Sequence, residues 1–424
     1  MHVLTMAAAA ASAGAGGFDV DGATQAYMAM VQGAARARSD AYFEGGYWLL
    51  LWGALLGLLL NWALLHFGWS ARWSGWAKRV GKGPARRVML YALAYLLVTT
   101  VIMLPWSLYT GYFREHQYGL SNLSLAGWFR EQGTGLAISL VVGPLILAAV
   151  FSAIRRAPRS WWLWGAGLMT GFVALGALVA PLFIAPLFNQ YTPMQPGPLR
   201  EQILAMAHAQ RIPADDIYVS DASKQTDRVS ANVSGLGPTV RITLNDNLLR
   251  RVPPPGVKAV MGHEMGHYVL NHVLKLIASF AAVFGLLFFL VWWLSPRLLR
   301  RHSARWKVEG PADPAALPLF AALASVIMLL LTPVTNSIVR LNEVEADTFG
   351  LDAAREPDGF AAVSMMLGEY RKLEPGPLEE AIFFDHPSGY NRVRMSMDWK
   401  ARHLNELPPE HRGIVRPAPL PAKF

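Results

Sequence analysis

The 424-residue sequence contains no cysteine, which excludes a disulfide framework, a thiol nucleophile and a cysteine-ligated metal. It is also poor in charge: 16% of its residues are Asp, Glu, Lys or Arg, whereas 53% are hydrophobic. That balance excludes an ordinary soluble two-domain enzyme of this length. No internal repeat and no glycine-rich phosphate loop is present.

What is present is a set of apolar runs, each long enough to cross a bilayer at about 20 residues per helix. They extend over Tyr47 to Phe67, Val88 to Tyr109, Leu136 to Ile154, Trp161 to Ile184, Leu274 to Leu294 and Leu317 to Val339. Helices buried in a large soluble core would need a polar face at helical period, and Trp48 to Leu60 has almost none. Tyr109, Trp161 and Trp162 at the run ends suit the membrane interface.

The formal net charge of +9 would raise the question of nucleic acid in a soluble protein. Here the cations lie in short loops, and no nucleic-acid partner is expected. Arg72, Lys78, Arg79, Lys82, Arg86 and Arg87 lie between the first two runs, and Arg155, Arg156 and Arg159 between the third and fourth. Arg297, Arg300, Arg301, Arg305 and Lys307 follow the fifth. Alternating spans put all three clusters on one side, cytoplasmic by the positive-inside rule, with the catalytic segments extracytoplasmic. The first 17 residues hold an alanine- and glycine-rich stretch that resembles part of a signal peptide but lacks a preceding Lys or Arg. A disordered amino terminus is the competing reading.

These runs divide the chain into an amino-terminal region (1–46), four spans (47–187), a polar segment (188–272), two further spans (273–339) and a carboxyl-terminal segment (340–424). The first polar segment reads as mixed α/β: a helix over Pro198 to Arg211, a strand over Asp216 to Ser220, and strands over Ser230 to Ser234 and Thr239 to Leu244 joined through Gly235, Gly237 and Pro238. The carboxyl-terminal segment predicts helices over Leu341 to Ala354, Phe360 to Lys372 and Asn391 to Leu404, then an irregular proline-rich tail.

Val257 to His272 reads as one helix, which sets His263 and His267 a turn apart on one face, with Glu264 beside the first. Two imidazoles at that spacing bind one zinc ion, and the adjacent carboxylate can take a proton from water there, the logic of the H-E-x-x-H pattern. A surface helix with solvated histidines is the bland alternative; the apolar flanks Val260, Met261, Val269 and Leu270 argue against it, because buried ionisable groups need partners. A catalytic zinc needs a third protein ligand and an open position. In Arg340 to Asp347, Glu343 and Asp347 share a helical face while Glu345 points away, so that pair offers a ligand and an acceptor behind a ligand. A solvated acidic turn remains the alternative there.

At these residues the chain resembles a known family. HEMGHYVLNH (263–272) and RLNEVEAD (340–347) are similar to segments of the membrane-embedded CAAX prenyl endopeptidases, a gluzincin group of zinc proteases. The likeness extends to Leu104 to Tyr109, Ala185 to Asn189, Ser230 to Asn232 and His386 to Ser388, covering most of residues 90–400. It implies a mainly α-helical polytopic membrane protein with a zincin-like α/β catalytic domain of short edge strands plus the HExxH helix, in a bacterial member at the inner membrane. It further implies one Zn²⁺ held by His263, His267 and Glu343, Glu264 as general base, Asp347 orienting a ligand histidine, and Asn232 on an edge strand that receives extended substrate. His386 would donate to the oxyanion, or cap a helix or be purely structural; Arg340 and Arg392 would be structural ion-pair partners, and His272 would pack or face solvent rather than bind metal. The implied partners are the lipid bilayer and a peptide or protein substrate, prenylated or membrane-associated. Family members typically carry seven spans, one more than the runs here. The competing class is a zinc-stabilised membrane scaffold that binds unfolded chains without cutting them, for which an intact Glu264 has no use. A transporter would need paired charges inside the spans, and none is present.

Overall fold

The computed structural model describes residues 17–235 and 239–414. The leader-like stretch before residue 17, the turn at Gly237 and Pro238, and the tail beyond residue 414 lie outside the described residues.

The chain opens with a short helix, α1 (Val20–Met28), capped by Asp19, whose Oδ1 accepts from the Gly22 amide at 2.9 Å. The first span, α2, runs from Gly33 to His66, starting well before the apolar run because about four helical turns of more polar sequence precede the membrane-facing part. Between it and the next span the expected basic loop is instead a helix, α3 (Trp69–Val80), with Trp69, Trp73 and Trp76 on one stripe. Span α4 (Pro84–Leu108) starts with proline at its amino end and continues through a π-helical turn into α5 (Arg114–Gln117). Spans α6 (Leu125–Arg156) and α7 (Trp161–Val179) complete the first group.

Then comes the mixed unit: β1 (Tyr191–Pro193), α8 (Pro198–Ala209), β2 (Ile217–Ser220), β3 (Ala231–Ser234), β4 (Arg241–Asn245), α9 (Asp246–Arg251) and α10 (Pro254–Val269). The strands order as β1-β2-β4-β3, with β2 parallel to β4 and the outer pairs antiparallel. The β3–β4 hairpin is as read from the sequence; the strand at Tyr191 and the parallel pairing were not. Ile203, Ile217, Ile242, Leu244, Val257 and Met261 form the core beneath α10.

α10 ends at Val269, not at His272. Asn271 takes a left-handed conformation (φ 56°), a position that Asn tolerates and that stops a helix, and His272 opens the fifth span, α11 (His272–Trp306). The sixth span is likewise not one helix to Val339. α12 (Leu317–Leu330) and α13 (Thr332–Ala354) meet at a 56° bend around Leu331, so among the described residues five helices are long and apolar enough to span and the bent pair makes a sixth. Pro333 sits at the bend, where it cannot donate to the preceding turn.

Three helices close the fold: α14 (Pro357–Leu367), α15 (Pro377–Phe383) and α16 (Gly389–Arg402). α1 packs on them through Tyr27 and Met28 against Ala361, Met365, Val393 and Met397. The span bundle has its own core of Tyr91, Phe151, Trp161, Val291 and Phe320. Trp48, Leu59, Trp164 and Leu182 face outward, as lipid-facing residues do when the hydrocarbon is their solvent. The chain is an integral membrane protein, mainly helical, with a small α/β unit.

Candidate metal centre

α10 and α13 cross with their backbones in contact, and glycine permits it. A Cβ at Gly262 would lie 2.7 Å from the carbonyl oxygen of Gly350, one at Gly350 2.7 Å from the His263 nitrogen, and one at Gly266 3.1 Å from Ala346 Cα. No side chain fits those gaps, so the histidine face of α10 lies directly on the acidic face of α13.

The crossing brings three donors together. Nε2 of His263 lies 3.0 Å from Nε2 of His267, and each lies 3.4 Å from an oxygen of Glu343. Ligands at about 2.1 Å around a four-coordinate cation stand about 3.4 Å apart, so the donor set fits a tetrahedral metal with a fourth position free. Among the described residues this is the one such group of His and carboxylate side chains.

The neighbours decide which ring atoms face the cluster. Nδ1 of His263 lies 2.8 Å from Oδ1 of Asp347, and neither buried atom has another partner. His272 is buried, with Nε2 3.1 Å from a Glu345 oxygen and Nδ1 2.9 Å from Nδ1 of His267. The carboxylate can only accept, so His272 donates from Nε2; its neutral ring then accepts at Nδ1, and His267 donates from its own. In both ligand-type histidines the Nε2 lone pair is left facing the cluster. His272 was read as packing or facing solvent; it is buried, and it fixes the tautomer of His267. The signal was Asn271, which ends α10 and turns His272 back toward it.

Arg392, on α16, lies inside the cluster. Its Nε donates to Asp347 at 2.8 Å and its Nη2 to Glu343 at 3.0 Å. Two buried carboxylates thereby share one buried guanidinium, which offsets their desolvation. Arg340 forms no ion pair with any described residue; it donates to the carbonyls of Glu380 and Phe384 and to the Ser337 hydroxyl. His386, from the turn before α16, reaches Glu343 with Nε2 at 3.1 Å and Asp385 with Nδ1 at 2.7 Å.

Glu264 makes no hydrogen bond or ion pair with any described side chain, and burial, against the pull of His263, pushes its carboxyl up to about 7. Burial and the neighbouring His263 take His267 down to about 4. Burial also opposes charge on His263, but the carboxylates of Asp347 and Glu343 prevail and hold it near 10, so without an ion Nε2 carries a proton that metal binding displaces to free the lone pair. A carboxyl poised near neutrality beside a metal-type cluster is what a general base needs.

His263, Glu264, Glu343, Asp347, His386 and Arg392 line a cavity of about 190 Å³ that also touches Ser230, Ala231, Tyr370 and Arg371. Tyr370 and Arg371 also line a chamber of about 1020 Å³ bounded by α2, by the α12–α13 bend and by Arg114 and Arg228. Asn232 is exposed on β3, an edge strand with no strand on its outer side among the described residues; Ala231, not Asn232, lines the smaller cavity.

Two family models match consecutive parts of the chain. Residues 25–190 match the CAAX prenyl protease N-terminal model, described as five membrane helices, and residues 193–399 match peptidase family M48. An uncharacterized metalloprotease, YhfN, of Bacillus subtilis is 28% identical over 88% of this chain and 87% of its own. A CAAX prenyl protease 1 homolog of Arabidopsis thaliana is 28% identical over 80% of this chain and 81% of its own. The crystal structure of S. mikatae Ste24p shares the fold, with a TM-score of 0.70 at 19% identity over 89% of this chain and 95% of that one. With a membrane bundle and an M48 peptidase segment in this order, the chain belongs to the M48 metallopeptidases and is a membrane-integrated metalloendopeptidase.

Proposed function

We propose that this protein is a zinc endopeptidase in which His263, His267 and Glu343 hold the ion and Glu264 is the general base. The convergence of two Nε2 lone pairs and a carboxylate at 3.0–3.4 Å carries the reading, because that donor set and spacing suit Zn²⁺. When bound, the ion polarises the scissile carbonyl and acidifies the attacking water.

The chain's own residues do the rest. Glu264 takes a proton from the water and passes it to the leaving amine. Asp347 and His272 hold the two imidazoles, and Arg392 holds Asp347 and Glu343. His386, tied to Asp385 at 2.7 Å, donates from Nε2 to the developing oxyanion. The substrate backbone lies along the open side of β3 by strand addition, with Asn232 at its outer face. The chamber admits the rest of the polypeptide.

The substrate is a membrane-associated or exported protein of a bacterial cell. The catalytic side faces away from the cytoplasm. Lys78, on α3, and Arg87 and Arg155, at the ends of spans α4 and α6, gather around Gly310 to Asp313 at the opposite end of the bundle, which supports that orientation.

Glu264→Gln is expected to retain metal by elemental analysis and to lose peptide release from membranes by about 10³-fold, the middle of the usual range for a general base. Wild-type cleavage rates in that variant would exclude Glu264 as the base. The same assay on peptides with and without a prenyl group, before and after chelation, separates a prenyl-dependent carboxyl-terminal cut from broader cleavage.

A further inference from the structure

The loop cations meet a second cavity at the other end of the bundle. α2 begins beside the catalytic segment, where Arg36 pairs with Glu374 and Tyr47 with Glu379, and at 1.5 Å per residue its far end is roughly 50 Å away. There α3, the end of α2 and the connection after α11 enclose about 600 Å³.

We propose that this cavity binds the phosphate of an anionic phospholipid headgroup. Five cations line it, Arg72, Lys78, Arg79, Arg305 and Lys307, against two acids, Glu309 and Asp313. Both acids are committed. Glu309 takes Lys78 at 2.6 Å, and Asp313 accepts from the Ser74 hydroxyl at 2.7 Å and from the amides of Ala315 and Glu309. Arg72, Arg79 and Lys307 are left without an ion-pair or hydrogen-bond partner for their side chains among the described residues, and Arg305 has only the His66 ring at 3.3 Å. Five cations against two acids leave the space a net charge of +3, and four of the cations have no described carboxylate within ion-pair distance.

The need to fix topology accounts for basic residues on this side, but not for a walled cavity that gathers them. Gly68 and Gly75 keep its lining open: a Cβ at either would meet nothing within 4 Å. The surroundings select a lipid over a soluble anion. α3 follows directly on a membrane span and exposes Trp69 and Trp76, with Phe67 beside them, at 41%, 39% and 57%. An amphipathic helix with outward tryptophans lies at the lipid–water boundary, so the cations face the depth of headgroup phosphates, where basic pockets between spans hold anionic lipid.

The full-length protein, purified in a neutral detergent, is titrated with phosphatidylglycerol, phosphatidylcholine or inorganic phosphate, with adducts followed by native mass spectrometry and stability by thermal unfolding. Wild-type protein should retain phosphatidylglycerol in preference to phosphatidylcholine and unfold at a higher temperature with it. The double variant Arg72→Gln, Arg305→Gln should bind it about 30-fold more weakly, from the two headgroup-level cations lost. Arg86→Gln with Arg300→Gln removes the same charge from the same side outside the cavity and should leave affinity within about twofold, since such cations act through a screened surface potential. Equal retention of the two lipids by wild-type protein, which needs no variant to fold, would overturn the proposal. So would equal weakening in both double variants, which means diffuse surface charge, or inorganic phosphate stabilising as well as the lipid, which means a soluble anion.

Discussion

At Gly350 an added methyl carbon would stand 2.7 Å from the backbone nitrogen of His263, whereas at Gly46, on the chamber wall, it would meet nothing within 4 Å. The two glycines belong to regions built on opposite terms. Around the metal-type cluster, helices touch backbone to backbone, and the buried charges of Glu343, Asp347 and Arg392 neutralise one another. A few residues away the spans diverge around about 1020 Å³. Chemistry demands donors held to a few tenths of an ångström, and a polypeptide substrate demands room, so close packing stops where Tyr370 and Arg371 separate the two spaces.

If close pairing of charge holds the catalytic side together, removing its one shared cation should have the largest effect. Arg392→Met leaves Asp347 and Glu343 buried without their donor, which costs about 3–5 kcal/mol. The thermal midpoint should fall, and fall further after chelation. Arg392→Lys, which keeps the charge but not the two-pronged geometry, should recover part of it. A midpoint unchanged in Arg392→Met would show that the cluster is held by packing alone.

Gly350→Ala tests the packing directly. The new Cβ meets backbone, not a side-chain tip that can swing aside, so α10 and α13 must separate, at about 1–3 kcal/mol. Metal content by elemental analysis should drop with peptidase activity, because the same separation pulls Glu343 from the histidines. His272→Gln should act more narrowly: without the ring that fixes the His267 tautomer, metal affinity falls about 10–100-fold while the apo protein unfolds at nearly the wild-type temperature. Chelator competition measures the first and calorimetry the second.

The same contrast explains what could be read from the sequence. Apolar runs located the spans, and the spacing of His263, His267, Glu343 and Asp347 marked one helical face each, since both are local patterns. α3 was hidden because its charges read as a loop, although Trp69, Trp73 and Trp76 recur at helical spacing. The bend at Leu331 was signalled by Pro333, and the stop at Asn271 by its tolerance of positive φ. Arg392 in the cluster, the parallel pairing of β2 with β4 and the docking of α1 on α14 and α16 are contacts across long sequence separations. No local periodicity encodes them.

The chamber should tolerate what the crossing cannot. Gly46 lies within α2, where leucine is the better helix former by about 0.8 kcal/mol, so Gly46→Leu should leave the thermal midpoint unchanged or slightly raised. Its side chain projects into space that Tyr47, Met328 and Phe383 also line, and it does not touch the metal-type cluster. Short peptides should therefore be cleaved at the wild-type rate, while long or lipid-bearing ones show KM raised a few-fold with kcat little changed, as expected when binding contacts away from the reacting atoms are lost. Equal loss on short and long substrates would mean that the chamber wall is mechanically coupled to the crossing, and the division drawn between the two glycines would fail at that point.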